Sequence, residues 1–264
     1  MSSPLTAMER AARQAGGLLR RRQARLGDLQ VESKGLHDFV TQADREAEEL
    51  VVASLDESCP GIPFLAEESA LRKTTAGRRW IVDPLDGTTN FIHGYPFFAV
   101  SIAFQDGGEL KAGVVFDPMR DEMFMAAAGR GATLNGEPIR VSGQDCLDQS
   151  LLVTGFPCRE LAHLDEYLEG FRRLLSISAG VRRDGSAALD LCWVAAGRSD
   201  GFWEMGLAPW DVAAGGLIVQ EAGGSISDYA GGGNWLEGRS IIAASPGIHA
   251  DMRQAVAPSN SQAG

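Results

Sequence analysis

The stretch with the most evident chemistry in this sequence is residues 80–90, Trp-Ile-Val-Asp-Pro-Leu-Asp-Gly-Thr-Thr-Asn. An apolar segment ends there in two carboxylates, Asp83 and Asp86, which are followed by a glycine and two hydroxyl side chains. Carboxylate oxygens are the ligands that Mg²⁺ prefers, and the backbone N–H groups after Gly87 can face a phosphate. Asp, Pro and Gly are also common turn residues, so an acidic turn between a strand and a helix explains the stretch equally well by itself.

Three other acidic positions have both a chemical and a structural explanation. Glu67 follows an apolar segment as Asp83 does, and neighbouring strands would bring both carboxylates to one edge of a sheet, although a solvated acidic loop fits as well. Asp211 falls in the first turn of a predicted helix, where the helix dipole alone favours an acid. Asp44 forms a Thr-x-x-Asp pair with Thr41 ahead of an apolar-periodic segment, which is a capping-box pattern. None of these positions identifies a site by itself.

The helices and strands that would position these acids follow from the spacing of apolar residues. Apolar residues recur at helical spacing over residues 4–25 and again from 41 to 55. Short β-rich segments bounded by turn residues predict strands at 62–66, 80–82, 98–104, 110–116 and 122–127. The last three predict successive antiparallel strands.

A polar stretch at residues 142–150 marks the best candidate boundary in the chain. It divides an N-terminal α+β half, 1–145, which holds most of the candidate acids, from a C-terminal α/β half, 146–257, and a disordered polar tail, 258–264. In the second half, predicted strands alternate with predicted helices, a pattern typical of layered α/β structure. The strands are expected at 151–154, 201–203, 225–227 and 241–244, and the helices at 161–175, 187–196, 210–222 and 246–256.

The composition excludes several classes of function. The chain has 264 residues, of which 44% are hydrophobic and 22% charged, as in an ordinary soluble globular protein. A formal net charge of −11 argues against a general nucleic-acid binder, which needs a basic surface. We find no apolar run near the ~20 residues that span a bilayer and no signal-peptide pattern at the start. The expectation is a cytoplasmic protein with no membrane and no direct nucleic-acid contact.

Taken together, four stretches resemble the inositol monophosphatase family in residue types, order and approximate spacing. The resemblance runs from about residue 7 to 256 and extends to the Gly-Ser-Ala-Ala-Leu-Asp stretch at 185–190 and the Glu-Ala-Gly-Gly stretch at 221–224. The four stretches are Asp38-Phe39-Val40-Thr41-Gln42-Ala43-Asp44, Glu67-Glu68-Ser69, Asp83-Pro84-Leu85-Asp86-Gly87-Thr88-Thr89-Asn90-Phe91 and Trp210-Asp211-Val212-Ala213-Ala214-Gly215.

The resemblance implies a layered α-β-α-β-α sandwich, a dimeric assembly and a lithium-sensitive, Mg²⁺-dependent phosphatase. Two or three Mg²⁺ ions per site are implied. One would be held by Glu67, Asp83 and the carbonyl of Leu85, and a second by Asp83, Asp86 and Asp211, with Glu67 also reaching a third.

The resemblance also assigns catalytic and substrate-binding positions. Thr88, supported by Asp44, would orient the attacking water together with Glu67, and the segment of Lys34, which reads as a flexible loop, would close over the site as a lid. The positions matching family contacts to the substrate are Asp86, Gly87, Thr88, Gly185, Ser186, Ala187, Glu204 and Asp211.

Charge explains why such a site needs metal. Carboxylates that converge on a small volume repel one another and take up protons unless cations balance them. A pair of Mg²⁺ ions would balance the acids, attract a phosphate dianion and grip the entering and leaving oxygens of an in-line displacement. Since phosphoryl transfer depends mostly on positioning and charge stabilisation, direct attack by a metal-bound water is expected, with no covalent nucleophile.

The substrate and partners are less sharply indicated. The resemblance favours hydrolysis of myo-inositol 1-phosphate, because Thr89-Asn90-Phe91 and Glu204 fit the inositol monophosphatase pattern. The alternatives are the related esters 3′-phosphoadenosine 5′-phosphate, histidinol phosphate, NADP and fructose 1,6-bisphosphate. Some bacterial relatives act as partners in transcription complexes, and Arg182-Arg183 offers a surface for such a role in addition to catalysis.

Overall fold

The computed structural model describes residues 3–28, 31–35, 38–69, 77–157 and 161–257. The predicted disordered tail, 258–264, lies outside these residues. The helices are α1 Pro4–Gln23, α2 Gln42–Ser58, α3 Thr88–Ile92, α4 Leu164–Ile177, α5 Ala187–Ala195, α6 Pro209–Glu221 and α7 Pro246–Val256. The strands are β1 Val31–Gly35, β2 Asp38–Thr41, β3 Phe64–Ala66, β4 Arg79–Asp86, β5 Ala99–Asp106, β6 Glu109–Asp117, β7 Glu122–Ala127, β8 Ala132–Leu134, β9 Glu137–Ile139, β10 Leu151–Thr154, β11 Gly180–Arg182, β12 Gly201–Met205, β13 Ser225–Ser227 and β14 Ser240–Ala244.

Two sheets organise the described part of the chain. The larger has the strand order β3-β4-β5-β6-β7-β8-β9 and is antiparallel except for the β3–β4 pair. The smaller has the order β11-β10-β12-β14-β13 and mixes parallel with antiparallel pairs. Helices α5 and α6 pack between the two sheets, α1 and α2 cover the outer face of the larger one, and α4 and α7 cover the outer face of the smaller one. The predicted α-β-α-β-α sandwich is confirmed.

Strand β4 shows how the sequence builds these layers. Successive side chains of a strand point to opposite faces of its sheet. Trp80 and Val82 accordingly pack in the core with α1 and α2, while Ile81 packs in the core with α5 and α6. Because both faces of the sheet are covered by helices, residues 80–82 of this strand are all apolar rather than alternating with polar residues.

The course of β4 also differs from the prediction. Residues 80–82 are the predicted strand, whereas β4 runs Arg79–Asp86 and pairs with β5 on both sides of a register shift between Asp83 and Asp86. Pro84 lies in that shift, where its missing N–H leaves no ladder bond unmade. The two aspartates therefore belong to the irregular end of a strand rather than to a free turn.

The segment containing Lys34 is another difference. The predicted flexible loop is instead strand β1, which pairs antiparallel with β2. The structure does not describe residues 36–37, which join the two strands in sequence, or the side chain of Lys34. A lid role for Lys34 stays a prediction, and so does the division of the chain at residue 145.

None of the described helices is both long and apolar enough to cross a membrane.

Candidate active site

Glu67 and Asp83 are brought together by the one parallel pair of the larger sheet. Strands β3 and β4 pair with Ala66 opposite Val82, so Glu67, which directly follows β3, lies beside Asp83 of β4. The N–H of Glu67 donates to the Val82 carbonyl at 3.2 Å, which continues the ladder by one bond. The prediction that neighbouring strands bring Glu67 and Asp83 together is correct, although β4 continues past Asp83 to Asp86.

Three aspartates from distant parts of the chain meet at the floor of one pocket. Asp83 and Asp86 come from the end of β4, and Asp211 from the first turn of α6. One carboxylate oxygen of each lies within 4.8 Å of the others, and all three side chains are buried. Glu67 lines the same pocket outside this trio. Four hard oxygen donors of this kind fit Mg²⁺ better than a soft metal.

Each aspartate of the trio is oriented by hydrogen bonds from the chain. Asp83 Oδ1 accepts the N–H of Leu85 at 2.9 Å. Asp86 Oδ2 accepts the Ser186 hydroxyl at 2.5 Å and the Ala188 N–H at 2.7 Å. Asp211 Oδ2 accepts the N–H of Ala208 at 2.7 Å, so this residue caps α6 while it also faces the pocket. These bonds fix the carboxylates in place without neutralising them.

The trio is electrostatically unfavourable in the absence of cations. Burial first, and then the charges of Glu67, Asp86 and Asp211, raise the pKa of Asp83 well above its usual value. Burial raises the pKa of Asp86 to about 6, although hydrogen bonds from Ser186 and Ala188 act in the opposite direction. A divalent cation among these oxygens would stabilise the charged forms, so its binding would release protons.

Thermal melts at two pH values test this electrostatic account. Because the folded pKa of Asp86 is about 6 and an unfolded aspartate titrates near about 4, the folded state holds extra protons between these values. Protonation of Asp86 therefore stabilises the metal-free fold at low pH, and the free energy of unfolding decreases as the pH rises through that window. We expect ~10 mM Mg²⁺ to raise Tm by more at about pH 7.5 than at about pH 5. The exposed-site variant Asp251→Asn should keep this difference, and equal increases in the unmodified protein would contradict the account.

A second group of residues surrounds Thr88, at the start of α3. Its hydroxyl lies 3.1 Å from Asp44 Oδ1 and 3.1 Å from the Leu85 carbonyl. Asp44 is buried at the start of α2, where Oδ2 also accepts the N–H and the hydroxyl of Thr41 at 2.8 and 2.5 Å. The predicted capping box therefore exists, and the other oxygen of the same carboxylate reaches the site.

Gly87 must be a glycine for two reasons. Its φ of +95° is a left-handed conformation that residues with a side chain rarely adopt. A Cβ there would lie 3.0 Å from the Phe97 carbonyl and 3.3 Å from the Gly185 carbonyl. The turn that carries Thr88 thus packs directly on the segment that carries the predicted substrate contacts.

The outer wall of the pocket comes mainly from the C-terminal half of the chain. Four residues with predicted substrate contacts, Gly185, Ser186, Ala187 and Glu204, line the same pocket as Glu67 and the trio. Ser186 is 1% exposed, and its hydroxyl donates to Asp86, so it orients a carboxylate of the trio. A contact between Ser186 and the substrate stays a prediction. Further lining residues that the sequence did not single out are Gly155, Phe156, Pro157, Met205, Gly206 and Leu207, and Arg183, predicted as part of a partner surface, also lines the pocket.

Asn90 is a structural link that the sequence pattern did not reveal. Its side-chain amide donates to the Phe97 carbonyl at 2.7 Å and to the Asp184 carbonyl at 2.8 Å. The first bond is local, whereas the second joins the turn after Gly87 to a segment almost a hundred residues later. The asparagine lies in the acidic motif itself, but nothing in the sequence specifies a partner so far along the chain.

Comparisons with known proteins agree with this geometry. The sequence profile described as the inositol monophosphatase family matches residues 1–262. Nus factor SuhB from Pseudomonas aeruginosa is 51% identical over 239 residues, which cover 89% of this chain and 88% of that protein. Inositol-1-monophosphatase from Mesorhizobium japonicum is 45% identical over 256 residues, or 97% of this chain and 96% of that protein.

The fold agrees with a solved structure as well. The extragenic suppressor protein suhB from Bartonella henselae superposes with a TM-score of 0.93 at 44% identity, covering 97% of this chain and 98% of that one. Both the sequence profile and the curated relatives span nearly the full length of the chain. The chain therefore belongs to the inositol monophosphatase family.

Proposed function

We propose that this phosphatase hydrolyses a phosphate monoester with Mg²⁺ as cofactor, and that myo-inositol 1-phosphate is its substrate. The observation that carries the proposal is the trio Asp83, Asp86 and Asp211, whose buried carboxylate oxygens lie within 4.8 Å of one another in a pocket shared with Glu67. The similarity to a protein named inositol-1-monophosphatase supports the choice of substrate.

The residues present fit a cluster of Mg²⁺ ions. In the proposal, Glu67, Asp83 and the Leu85 carbonyl hold one ion, and Asp83, Asp86 and Asp211 hold a second, with Glu67 also reaching a third. All of these ligands are hard oxygens, and the raised pKa values of Asp83 and Asp86 indicate carboxylates that gain from a nearby cation. When bound, the ions activate water and stabilise the negative charge of the departing alcohol oxygen.

The chain itself orients the attacking water in this proposal. In the proposal the Thr88 hydroxyl donates its hydrogen to Asp44 rather than to the Leu85 carbonyl. The Thr88 oxygen is then free to accept a hydrogen from water. The carboxylate of Glu67, across the pocket, accepts the other hydrogen. The backbone N–H groups of Gly87 and Thr88 would contact the phosphate, and Asp86 and Asp211 would hold the cation that balances its charge. The charge and position of these groups supply catalysis without a covalent nucleophile.

The alcohol part of the substrate would contact the C-terminal wall. Glu204, in β12, offers a carboxylate that accepts hydrogen bonds from hydroxyl groups, as a polyol requires. Gly185 and Ala187 bring backbone close to the same space. A site built to accept hydrogen bonds from several hydroxyls should discriminate strongly against an alcohol that lacks them.

Gly155 gives a test of the role of Glu204. A methyl group at this position would overlap the Glu204 carboxylate, which would have to leave its place on the pocket wall. We expect Gly155→Ala to raise KM for myo-inositol 1-phosphate by about tenfold, the loss of one hydrogen bond to a charged group. KM for p-nitrophenyl phosphate, which has no polyol, should change by less than about threefold. Equal increases for both esters would argue against Glu204 as a polyol contact.

A panel of phosphate esters tests the proposed substrate. The measurement is kcat/KM for phosphate release from myo-inositol 1-phosphate, 3′-phosphoadenosine 5′-phosphate, histidinol phosphate, NADP and fructose 1,6-bisphosphate, with Mg²⁺ and with EDTA. We expect the inositol ester to have the highest value, EDTA to abolish turnover and millimolar Li⁺ to inhibit it. A higher value for another ester would replace the substrate, and turnover that persists in EDTA would contradict the metal mechanism.

A second proposed function is that of a protein partner in transcription complexes, in addition to catalysis. It is supported by similarity to proteins named Nus factor SuhB, and Arg182 and Arg183 are exposed beside the pocket rim. The test is binding of the purified chain to purified transcription proteins of Escherichia coli, the source of one relative named Nus factor SuhB, with Arg182→Ala/Arg183→Ala as the comparison. Equal binding by both forms would exclude this surface, and no binding by either would exclude the role.

A homodimer is also proposed, as the family resemblance implies. Helix α4 exposes an apolar face to solvent, with Leu168 43% and Leu175 49% exposed, and Ile177 at its end 45% exposed. A second copy of the chain would bury these side chains. Light scattering after size exclusion should give twice the mass of the chain, and Leu168→Glu/Leu175→Glu should lower it to that of the monomer. A monomeric unmodified protein would contradict the proposal.

A further inference from the structure

Helix α2 reaches the site at two points on one face. Asp44 and Glu48 are four residues apart, so their side chains lie one above the other on the same side of the helix. Both are buried, with 1% and 5% of the residue exposed. Buried carboxylates normally have specific partners, and Asp44 has Thr88 and Thr41. The partner of Glu48 lies in the turn that carries Glu67.

The bond that Glu48 makes holds the chain at the point where β3 leaves the sheet. The N–H of Glu67 still donates to Val82, the last bond of the ladder in this direction. The next N–H, that of Glu68, donates instead to Glu48 Oε2 at 3.0 Å. The peptide groups on both sides of the Glu67 Cα are therefore fixed, one by the sheet and the other by α2. Fixing both peptides fixes the direction in which the Glu67 side chain leaves the backbone.

We infer that Glu48 is a positioning residue for Glu67, and that one turn of α2 sets the spacing between Glu67 and Thr88. The inference rests on the proposed function, in which these two residues bind cation and orient water. Asp44 holds the hydroxyl of Thr88, and Glu48, one turn later, holds the turn of Glu67. The β3–β4 pair holds Glu67 beside Asp83, but Thr88 lies beyond the register shift of β4, so the rigid turn of α2 adds a second connection between the two groups.

Two substitutions separate the hydrogen bond of Glu48 from its charge. Glu48→Gln removes the charge but keeps a carbonyl oxygen at the same reach, whereas Glu48→Asp keeps the charge on a side chain too short to reach the N–H of Glu68. The control is Glu49→Ala, which alters the adjacent, exposed carboxylate on the same helix. The first readout is Mn²⁺ binding followed by electron paramagnetic resonance on protein without substrate. The second is the pair kcat and KM for myo-inositol 1-phosphate.

We expect Glu48→Asp to weaken the binding of one class of Mn²⁺ ion by about 10-fold to 100-fold, the usual effect of losing a partner that orients a metal ligand. In the same variant kcat should fall with KM nearly unchanged, because the residues proposed to contact the alcohol part of the substrate are not altered. Glu48→Gln should stay within about threefold of the unmodified protein in both readouts. The reverse order, a damaging Gln and a harmless Asp, would mean that Glu48 acts through its charge and would overturn the inference.

The outcomes also separate this inference from the proposed function. If the unmodified protein neither binds Mn²⁺ nor needs a divalent cation for turnover, the proposed function fails. If it does both and Glu48→Asp matches it, only the inference fails. One measurement needs no variant and is therefore unaffected if a variant misfolds. The Glu68 amide of the unmodified, metal-free protein should exchange its hydrogen slowly. Exchange at the rate of an unstructured peptide would overturn the inference.

Discussion

Replacing Asp83 with Asn should lower kcat/KM by about 1,000-fold or more, on the order of 4 kcal/mol of transition-state stabilisation. Asp83 is the one carboxylate that the proposal assigns to both the first and the second cation, and it lies near the end of β4, three residues before Asp86. An amide keeps the shape of the side chain but is a weaker ligand without charge. The loss should therefore appear with every substrate, since it removes cation binding rather than recognition of the alcohol.

The same variant should have the opposite effect on the metal-free fold. Burial and three neighbouring carboxylates raise the pKa of Asp83, so its charged form is unfavourable in the folded protein. Asp83→Asn should consequently melt in EDTA at the same temperature as the unmodified protein or higher, and should gain less from added Mg²⁺. Asp251→Asn, on the exposed side of α7, serves as the control and should alter neither melting nor turnover. A large drop in the metal-free Tm of Asp83→Asn would contradict the picture of mutually repelling acids.

The family resemblance predicted which acids meet, and each of them lies at the boundary of an element or at its irregular end. Glu67 and Asp83 both follow apolar strands, and parallel neighbours end at the same edge. Asp211 starts α6 and Asp44 starts α2, so capping and site geometry require the same residue type at these positions. For these two residues the capping explanation is confirmed, and the geometry leaves room for the chemical one, which stays a prediction. A carboxylate has two oxygens, and one can cap a helix while the other faces the pocket.

The parts that the sequence did not predict depend on contacts between distant segments. The bond from Ser186 to Asp86 joins residues 100 positions apart, and no local pattern specifies it. Glu48 reads as an ordinary polar position of an amphipathic helix, and only the packing of α2 on the sheet buries it. Strand β4 extends beyond the predicted 80–82 because a register shift accommodates Pro84, which local rules assign to a turn.

Thr88 is the second position where a large catalytic effect is expected. Its hydroxyl has a single hydrogen but two acceptors at 3.1 Å, Asp44 Oδ1 and the Leu85 carbonyl, so the two bonds compete. A cation held by the Leu85 carbonyl would occupy that oxygen and direct the hydrogen to Asp44. The Thr88 oxygen would then accept a hydrogen from the attacking water and fix its direction. Thr88→Ala should lower kcat by about 100-fold to 1,000-fold, in the range of other lost proton-handling groups.

Comparison with conservative variants tells orientation of water apart from a general weakening of the turn. Thr88→Ser keeps the hydroxyl and should retain kcat within about tenfold. Asp44→Asn has one acceptor oxygen where the carboxylate serves both Thr41 and Thr88, and it should fall between Ser and Ala. His93→Ala, at the C-terminal cap of the same short helix, exposed and outside the pocket lining, should change kcat by no more than about threefold. Since Thr88 is not a proposed cation ligand, the affinity of Thr88→Ala for Mn²⁺ should match that of the unmodified protein. A loss of Mn²⁺ binding in proportion to kcat would assign Thr88 to the integrity of the cation site instead of to the water.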